Sequence, residues 1–291
     1  MLLEIIDITL PVFLLALIGF VWARMGIAFE LEFVSRMVLN FALPCLIFAT
    51  LVEADITPQA LAEIAAAAFA AYVVAGVAMW VVLRLTGLSP RIWWTASVFG
   101  NTGNIGLPLC YFAFGDQGLA LGVVVFAIAV CLQFTLGVWA IAGASHWRQV
   151  LRQPIVHASW LGCLAAQFGL ELPQAVLRSL DLAGQIAIPV MLITLGFSIS
   201  KLKLGETGQA ALVAVLRLAV LAGAALAVTA AVGLGPVASA IIVLQFTTPG
   251  AVTVYMMATK YNGAPESIAG LVLISTVLTL AVAPVALSFL L

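Results

Sequence analysis

Nine consecutive residues, Gly100-Asn101-Thr102-Gly103-Asn104-Ile105-Gly106-Leu107-Pro108, interrupt a long apolar run with three glycines, a proline and two amides. In a helix interior a glycine costs roughly 1 kcal/mol and a proline roughly 3 relative to alanine, so the helix is expected to unwind here. Backbone amides and carbonyls freed at such a place inside a bilayer are tolerated only where they line a cavity or bind something, and the N-terminus of a half-helix favours an anion. A second interruption, Gln245-Phe246-Thr247-Thr248-Pro249-Gly250, lies at the matching place in the other half of the chain. The two breaks together nominate Asn101, Thr102, Gly103, Asn104, Gly106 and Pro108 with Thr247, Thr248, Pro249 and Gly250 as a substrate-binding set. The alternative is a pair of kinked helices whose small residues serve close packing.

Arg217 falls about eleven residues into an apolar run, roughly 16 Å deep at about 1.5 Å per residue, where a cation needs a partner or water. It reads either as a substrate-binding or gating cation, or as a structural group paired with Asp181 or Glu63 or capping broken-helix carbonyls. Glu63, four residues after Gln59 and just past Pro58, reads as a proton-exchanging carboxylate or as a first-turn helix charge. Arg178 and Asp181 suit an interfacial pair, and Gln133 and Gln245 suit polar contacts between helices. Asn40 and Gln185, each four residues before a proline, join Arg217, Glu63 and Asp181 as candidates for coupling or gating. His146 and His157 flank a short connection without other ligand types, so no metal and no cofactor is expected.

The elements that must hold these residues are membrane spans. The 291 residues are 65% hydrophobic and 8% charged, with a mean hydropathy of +1.24, far from a soluble composition of roughly half apolar and a quarter charged. Apolar runs fall at about 6 to 23, 31 to 52, 60 to 85, 92 to 113, 117 to 143, 154 to 170, 174 to 199, 207 to 232, 236 to 259 and 266 to 290, which predicts an all-α polytopic membrane protein of ten spans. The first run follows Glu4 and Asp7 without a basic start or a cleavage site and reads as a retained helix. Cys45, Cys110, Cys131 and Cys163 sit within apolar segments and read as packing residues. Alternating spans collect Arg24, Arg36, Arg84, Arg91, Arg148, Arg152, Lys201, Lys203 and Lys260 on one side, leaving Arg178 near the other, where Glu4, Asp7, Glu53, Asp55, Asp116 and Glu171 lie. The basic side is then cytoplasmic and both termini are outside.

The halves echo each other. Asn40 to Thr50 reads NFALPCLIFAT and Gln185 to Leu195 reads QIAIPVMLITL, and each broken span runs through a turn, Gly115-Asp116-Gln117-Gly118 or Asn262-Gly263-Ala264-Pro265, into the last helix of its half. Five spans per unit, at 1–143 and 154–291, force the two units into opposite orientations, the plan of an inverted-repeat transporter with broken fourth and ninth spans. A channel is the second class. An intramembrane enzyme would need paired intramembrane aspartates, a GxSxG serine or a metal-binding histidine cluster, none of which the sequence contains, so no enzymatic activity is expected; nor does anything suggest nucleic acid as a partner.

Asn101-Thr102 with Gly106 and Pro108 matches the N-T-x-x-x-G-x-P crossover of plant auxin carriers. Pro249 through Ala258 to Tyr261-Asn262 matches their second crossover, and Asn40 to Leu46, NFALPCL, adds a third match. Over essentially its whole length the chain resembles the auxin efflux carriers, whose bacterial members are described as organic-acid permeases and whose plant members are the PIN-type carriers. The resemblance implies a fold like that of bile-acid symporters and sodium/proton antiporters, with a scaffold of spans 1, 2, 6 and 7 and a transport unit of spans 3–5 and 8–10. It also implies a homodimer in a bacterial cytoplasmic membrane and elevator-type alternating access, with the two crossovers forming the site. The solute would be a small organic anion, a mono- or dicarboxylate or an auxin-like acid, with coupling to H+, Na+ or potential left open. An anion channel, or an ion-coupled carrier of a non-carboxylate, is the alternative. Glu63 falls where the plant carriers have a carboxylate, but Ala67 stands where they have a lysine one turn later, and their long hydrophilic loop shrinks to His146 to Pro154, so regulation by phosphorylation of that loop is not expected.

Overall fold

The structure is a computed structural model that describes residues 2–54, 56–143, 153–170, 172–202, 207–261 and 263–290. Of the residues weighed above, Asp55, His146, Arg148, Arg152, Glu171, Lys203 and Asn262 lie outside the described residues. The described chain is helical throughout: α1 (Leu2–Arg24), α2 (Leu31–Glu53), α3 (Pro58–Leu85), α4 (Pro90–Val98), α5 (Thr102–Ala142), α6 (Pro154–Gln167), α7 (Gln174–Gly184), α8 (Ala187–Lys201), α9 (Thr207–Val232), α10 (Pro236–Thr247), α11 (Val252–Lys260) and α12 (Pro265–Leu290). Proline opens α3, α4, α6, α10 and α12, a position where its missing N–H would have had no helical partner and its fixed φ suits the first turn. Thr57 adds a side-chain cap to α3, its Oγ1 accepting from the Ala60 N–H at 3.3 Å.

Among the described residues, seven helical stretches are long and apolar enough to cross a bilayer: Ile5–Arg24, Leu31–Glu53, Pro58–Leu85, Thr102–Ala142, Gln174–Lys201, Thr207–Val232 and Pro265–Pro284. The ten runs read from the sequence redistribute among these and the shorter helices. The fourth run is split into α4 and the start of α5, the ninth into α10 and α11, and α6 has 14 residues. α5 is 41 residues long but is not straight, because Gly115 has φ 60° and ψ −149°, a conformation essentially confined to glycine. The turn expected at Gly115 to Gly118 is therefore a corner within continuous helix. It is a tight one, since a Cβ on Gly118 would lie 2.3 Å from the Cys110 carbonyl oxygen.

The NFALP and QIAIP segments both fall at irregular turns. Asn40 lies in a π-turn, Val38–Ala42, inside α2, and Gln185 lies in the turn that separates α7 from α8. Both side chains are exposed.

Packing sorts the helices into two groups. In the first, α1 lies along α8, and α2 packs on α6 and α7. Backbones touch there: a Cβ on Gly19 would meet the Ile193 carbonyl oxygen at 1.9 Å, and one on Gly196 would meet the Ala16 carbonyl oxygen at 1.7 Å. Small residues permit this approach, and van der Waals contact is what holds helices together where lipid is as apolar as the side chains. In the second group, α3 packs on α4, α5 and α9, α9 on α10 and α12, and α11 on α12. Large apolar side chains such as Leu14, Leu17, Val77, Leu212 and Val215 are exposed on the outside of the bundle, as they must be where the solvent is hydrocarbon.

Candidate functional site

The two interrupted spans cross each other where they unwind. Phe99, Thr248 and Ala251 take extended backbone conformations, and Gly100 faces Gly250 in an antiparallel bridge. The Asn101 N–H donates to the Pro249 carbonyl at 2.7 Å, and the Ala251 N–H donates to the Phe99 carbonyl at 3.3 Å. Unpaired backbone groups cost several kcal/mol each in hydrocarbon, so two broken helices at this depth stabilise each other by supplying the ladder each has lost. The C-termini of α4 and α10 and the N-termini of α5 and α11 all end here, bringing four partial charges to one place.

Polar side chains complete the crossing. Asn101 caps the start of α5, its Oδ1 accepting from the Asn104 N–H at 3.2 Å, while its Nδ2 is buried without a partner. Thr102, Gly103, Gly106 and Pro108 are buried with it. Thr247 Oγ1 donates to the Val243 carbonyl at 2.9 Å, and Thr248 Oγ1 to the Gln245 carbonyl at 2.6 Å. Both hydroxyls thus stabilise the last carbonyls of α10. The Gly250 N–H donates to Ser275 Oγ at 2.9 Å, and Thr279 Oγ1 donates to the Thr247 carbonyl at 3.1 Å. A Cβ on Gly106 would stand 2.2 Å from Gln245 Oε1, so the amide of α10 lies directly against the backbone of α5. Gln245 also donates to the Gly122 carbonyl at 3.4 Å, and Gln133 to Thr253 Oγ1 at 2.7 Å. Both amides join α5 to the α10–α11 span, as their lone intramembrane positions suggested.

Arg217 is the largest fully buried side chain among the described residues, 1% exposed on α9. A Cβ on Gly100 would lie 2.8 Å from its Nη2 and 2.4 Å from Thr248 Oγ1, which places the guanidinium against the crossing backbone beside the C-termini of α4 and α10. Its Nε and Nη2 have no hydrogen-bond partner. Of the alternatives left open for Arg217, the ion pair with Asp181 or Glu63 does not occur among the described residues. Glu63 is exposed and accepts from Gln59 Nε2 at 2.9 Å, and Asp181 accepts from Gln185 Nε2 at 2.9 Å; neither meets Arg217, and Asp181 does not pair with the exposed Arg178. What opposes the guanidinium charge is the negative ends of two half-helices.

Three residues of the crossing went unnoticed in the sequence. Tyr72 on α3, 4% exposed, packs its ring on Phe246 and Phe99 at 4.4 and 5.9 Å. Ser275 and Thr279 on α12 stand four residues apart, and that helical spacing of hydroxyls was a readable signal; Tyr72 carried none. A cavity of about 340 Å³ lies between the two packing groups, bounded by Val12 and Phe13 of α1, Ile105 and Leu109 of α5, Leu195 of α8 and Thr279 of α12.

The described residues form helices long and apolar enough to cross a membrane, and two of the helical runs break and cross beside a buried guanidinium. The family described as membrane transport protein matches residues 5–146 and 138–287, and the chain belongs to it, the family of the auxin efflux carriers. Two relatives run nearly its whole length. An uncharacterized transporter of Methanothermobacter thermautotrophicus is 25% identical over 290 residues, covering 96% of each chain. An uncharacterized transporter of Methanocaldococcus jannaschii is 23% identical over 297 residues, covering 95% of this chain and 96% of its own.

Proposed function

We propose that the chain is a secondary carrier of a small organic anion, a mono- or dicarboxylate, bound at the crossing of its fourth and ninth spans. The observation that carries this reading is the buried Arg217 guanidinium against the Gly100 backbone, its Nε and Nη2 without a hydrogen-bond partner. A cation held at that depth without a carboxylate is suited to attract an anionic solute, and a guanidinium can bind a carboxylate through two parallel hydrogen bonds. Asn101 Nδ2, also buried and unpartnered, supplies a neutral donor at the same crossing.

The architecture we propose is ten spans in two inverted five-span repeats, counting α4 with the start of α5, and α10 with α11, as one span each. Matching breaks, matching irregular turns at Asn40 and Gln185, and the Gly115 corner support it. α1, α2, α6, α7 and α8 form the scaffold and the remaining helices the transport unit, in keeping with the two packing groups. Asn101, Thr247 and Thr248 are buried and line neither the 340 Å³ cavity nor the outer groove described below. We infer that solute reaches them when the crossing shifts past α1 and α8, the movement of an elevator; the cavity between the two packing groups lies on that boundary and supports this reading.

Cysteines at Asn101 and Thr248, in a background where Cys45, Cys110, Cys131 and Cys163 are alanine, test the site. Carboxylate substrate should slow labelling of both by a small thiol reagent severalfold. Unchanged labelling in variants that still transport would place the solute elsewhere.

A further inference from the structure

We propose that the groove between α3, α4 and the C-terminal part of α5 is a binding site for an anionic phospholipid, its phosphate held by Arg84 and Arg91 and one acyl chain laid along the aromatic wall. The groove encloses about 1020 Å³, at the upper end of the roughly 300–1,000 Å³ typical of small-molecule sites. Its two ends differ in chemistry. Arg84 in the last turn of α3 and Arg91 in the first turn of α4 stand at one end, around the turn at Gly87. Tyr72 lies at the other, about 18 Å deeper along α3 at about 1.5 Å per residue. Between them the lining is apolar and aromatic, including Trp80, Trp94 and Trp139.

Charge and exposure select the occupant. No Asp or Glu lines the groove, and both arginines are exposed and free of ion pairs with described carboxylates. Arg84 is held over the Trp80 ring at 5.1 Å, so its guanidinium stays at the groove mouth. Trp94 is fixed as a wall by donating from Nε1 to the Gly76 carbonyl at 2.7 Å. Val77, Trp80 and Trp139 are 61%, 48% and 58% exposed on the outer face of the bundle, so the groove opens sideways into hydrocarbon as well as towards the arginines. A soluble anion satisfies only the charged end. A phospholipid satisfies both, and basic pockets between spans at the membrane surface are suited to anionic headgroups. The inner end of the groove is shared with the crossing through Tyr72 and Phe99, but the arginines that select the headgroup lie about 18 Å away along α3 at about 1.5 Å per residue, and lipid binding there does not depend on what is transported.

Native mass spectrometry of the detergent-solubilised protein, titrated with phosphatidylglycerol, phosphatidylcholine or inorganic phosphate, tests the proposal. Phosphatidylglycerol should bind roughly tenfold more tightly than phosphatidylcholine. Arg84→Gln with Arg91→Gln should remove that preference, Arg24→Gln should leave it intact, and Trp139→Ala should weaken both lipids alike. The exposed positions of the substituted arginines let these variants fold, which an unchanged melting temperature checks. A preference that survives loss of both arginines, an equal loss in Arg24→Gln, or displacement of the lipid by millimolar inorganic phosphate would overturn the proposal.

Discussion

Arg217 concentrates the argument at the scale of single residues. Its depth could be read from its position in an apolar run, but its surroundings could not, because Gly100 and Thr248 reach it from residues far away in the chain. Counting intramembrane charges suggested Asp181 or Glu63 as partners; both sit near helix ends beside amides four residues away, which satisfy them locally. A structural ion pair would make Arg217 costly to remove, since it would strand a buried carboxylate. With no carboxylate opposite, Arg217→Met relieves the burial of a charge and retains most of the packing volume. The expected result is a melting temperature that stays level or rises, together with loss of the stabilisation that carboxylate substrate gives to the natural chain. A fall of several degrees without ligand would return Arg217 to a structural role.

At the scale of elements, the apolar runs were legible because hydrocarbon permits little else, whereas the breaks were legible only as a loss of helix propensity. That the two breaks pair with each other through Asn101 to Pro249 and Ala251 to Phe99 is a long-range fact that no local pattern carries. Glycine roles divided in the same way. Gly196 and Gly223 look alike in the sequence, yet a Cβ on the first would strike the Ala16 carbonyl oxygen at 1.7 Å, while nothing lies within 4 Å of one on the second. Gly196→Ala should force α1 and α8 apart and cost about 1–3 kcal/mol or more. Gly223→Ala should be neutral or stabilising by up to about 1 kcal/mol through helix propensity. Thermal unfolding of the two variants checks the contrast, and equal effects would mean that the α1–α8 contact is looser than described.

The whole chain is a member of a membrane transport family, its described residues helical, and the positions of its basic residues predict its sidedness. Both termini should lie outside, so alkaline phosphatase fused after Leu291 should be active. An inactive phosphatase fusion with a fluorescent cytosolic reporter at the same position would overturn the expected sidedness, and, with the N-terminus still outside, would leave an odd number of spans and break the two-repeat plan.

The central claim, a carrier whose crossing and Arg217 bind an organic anion, is tested most directly by counterflow. Proteoliposomes loaded with an unlabelled carboxylate and diluted into a trace of the labelled compound would be followed over time for acetate, pyruvate, malonate, malate and indole-3-acetate. For at least one of these the label should rise transiently above its equilibrium level with the natural chain, an overshoot that a channel does not produce, and the overshoot should be absent with Arg217→Met. No overshoot for any of these acids, or the same overshoot in Arg217→Met, would contradict the account.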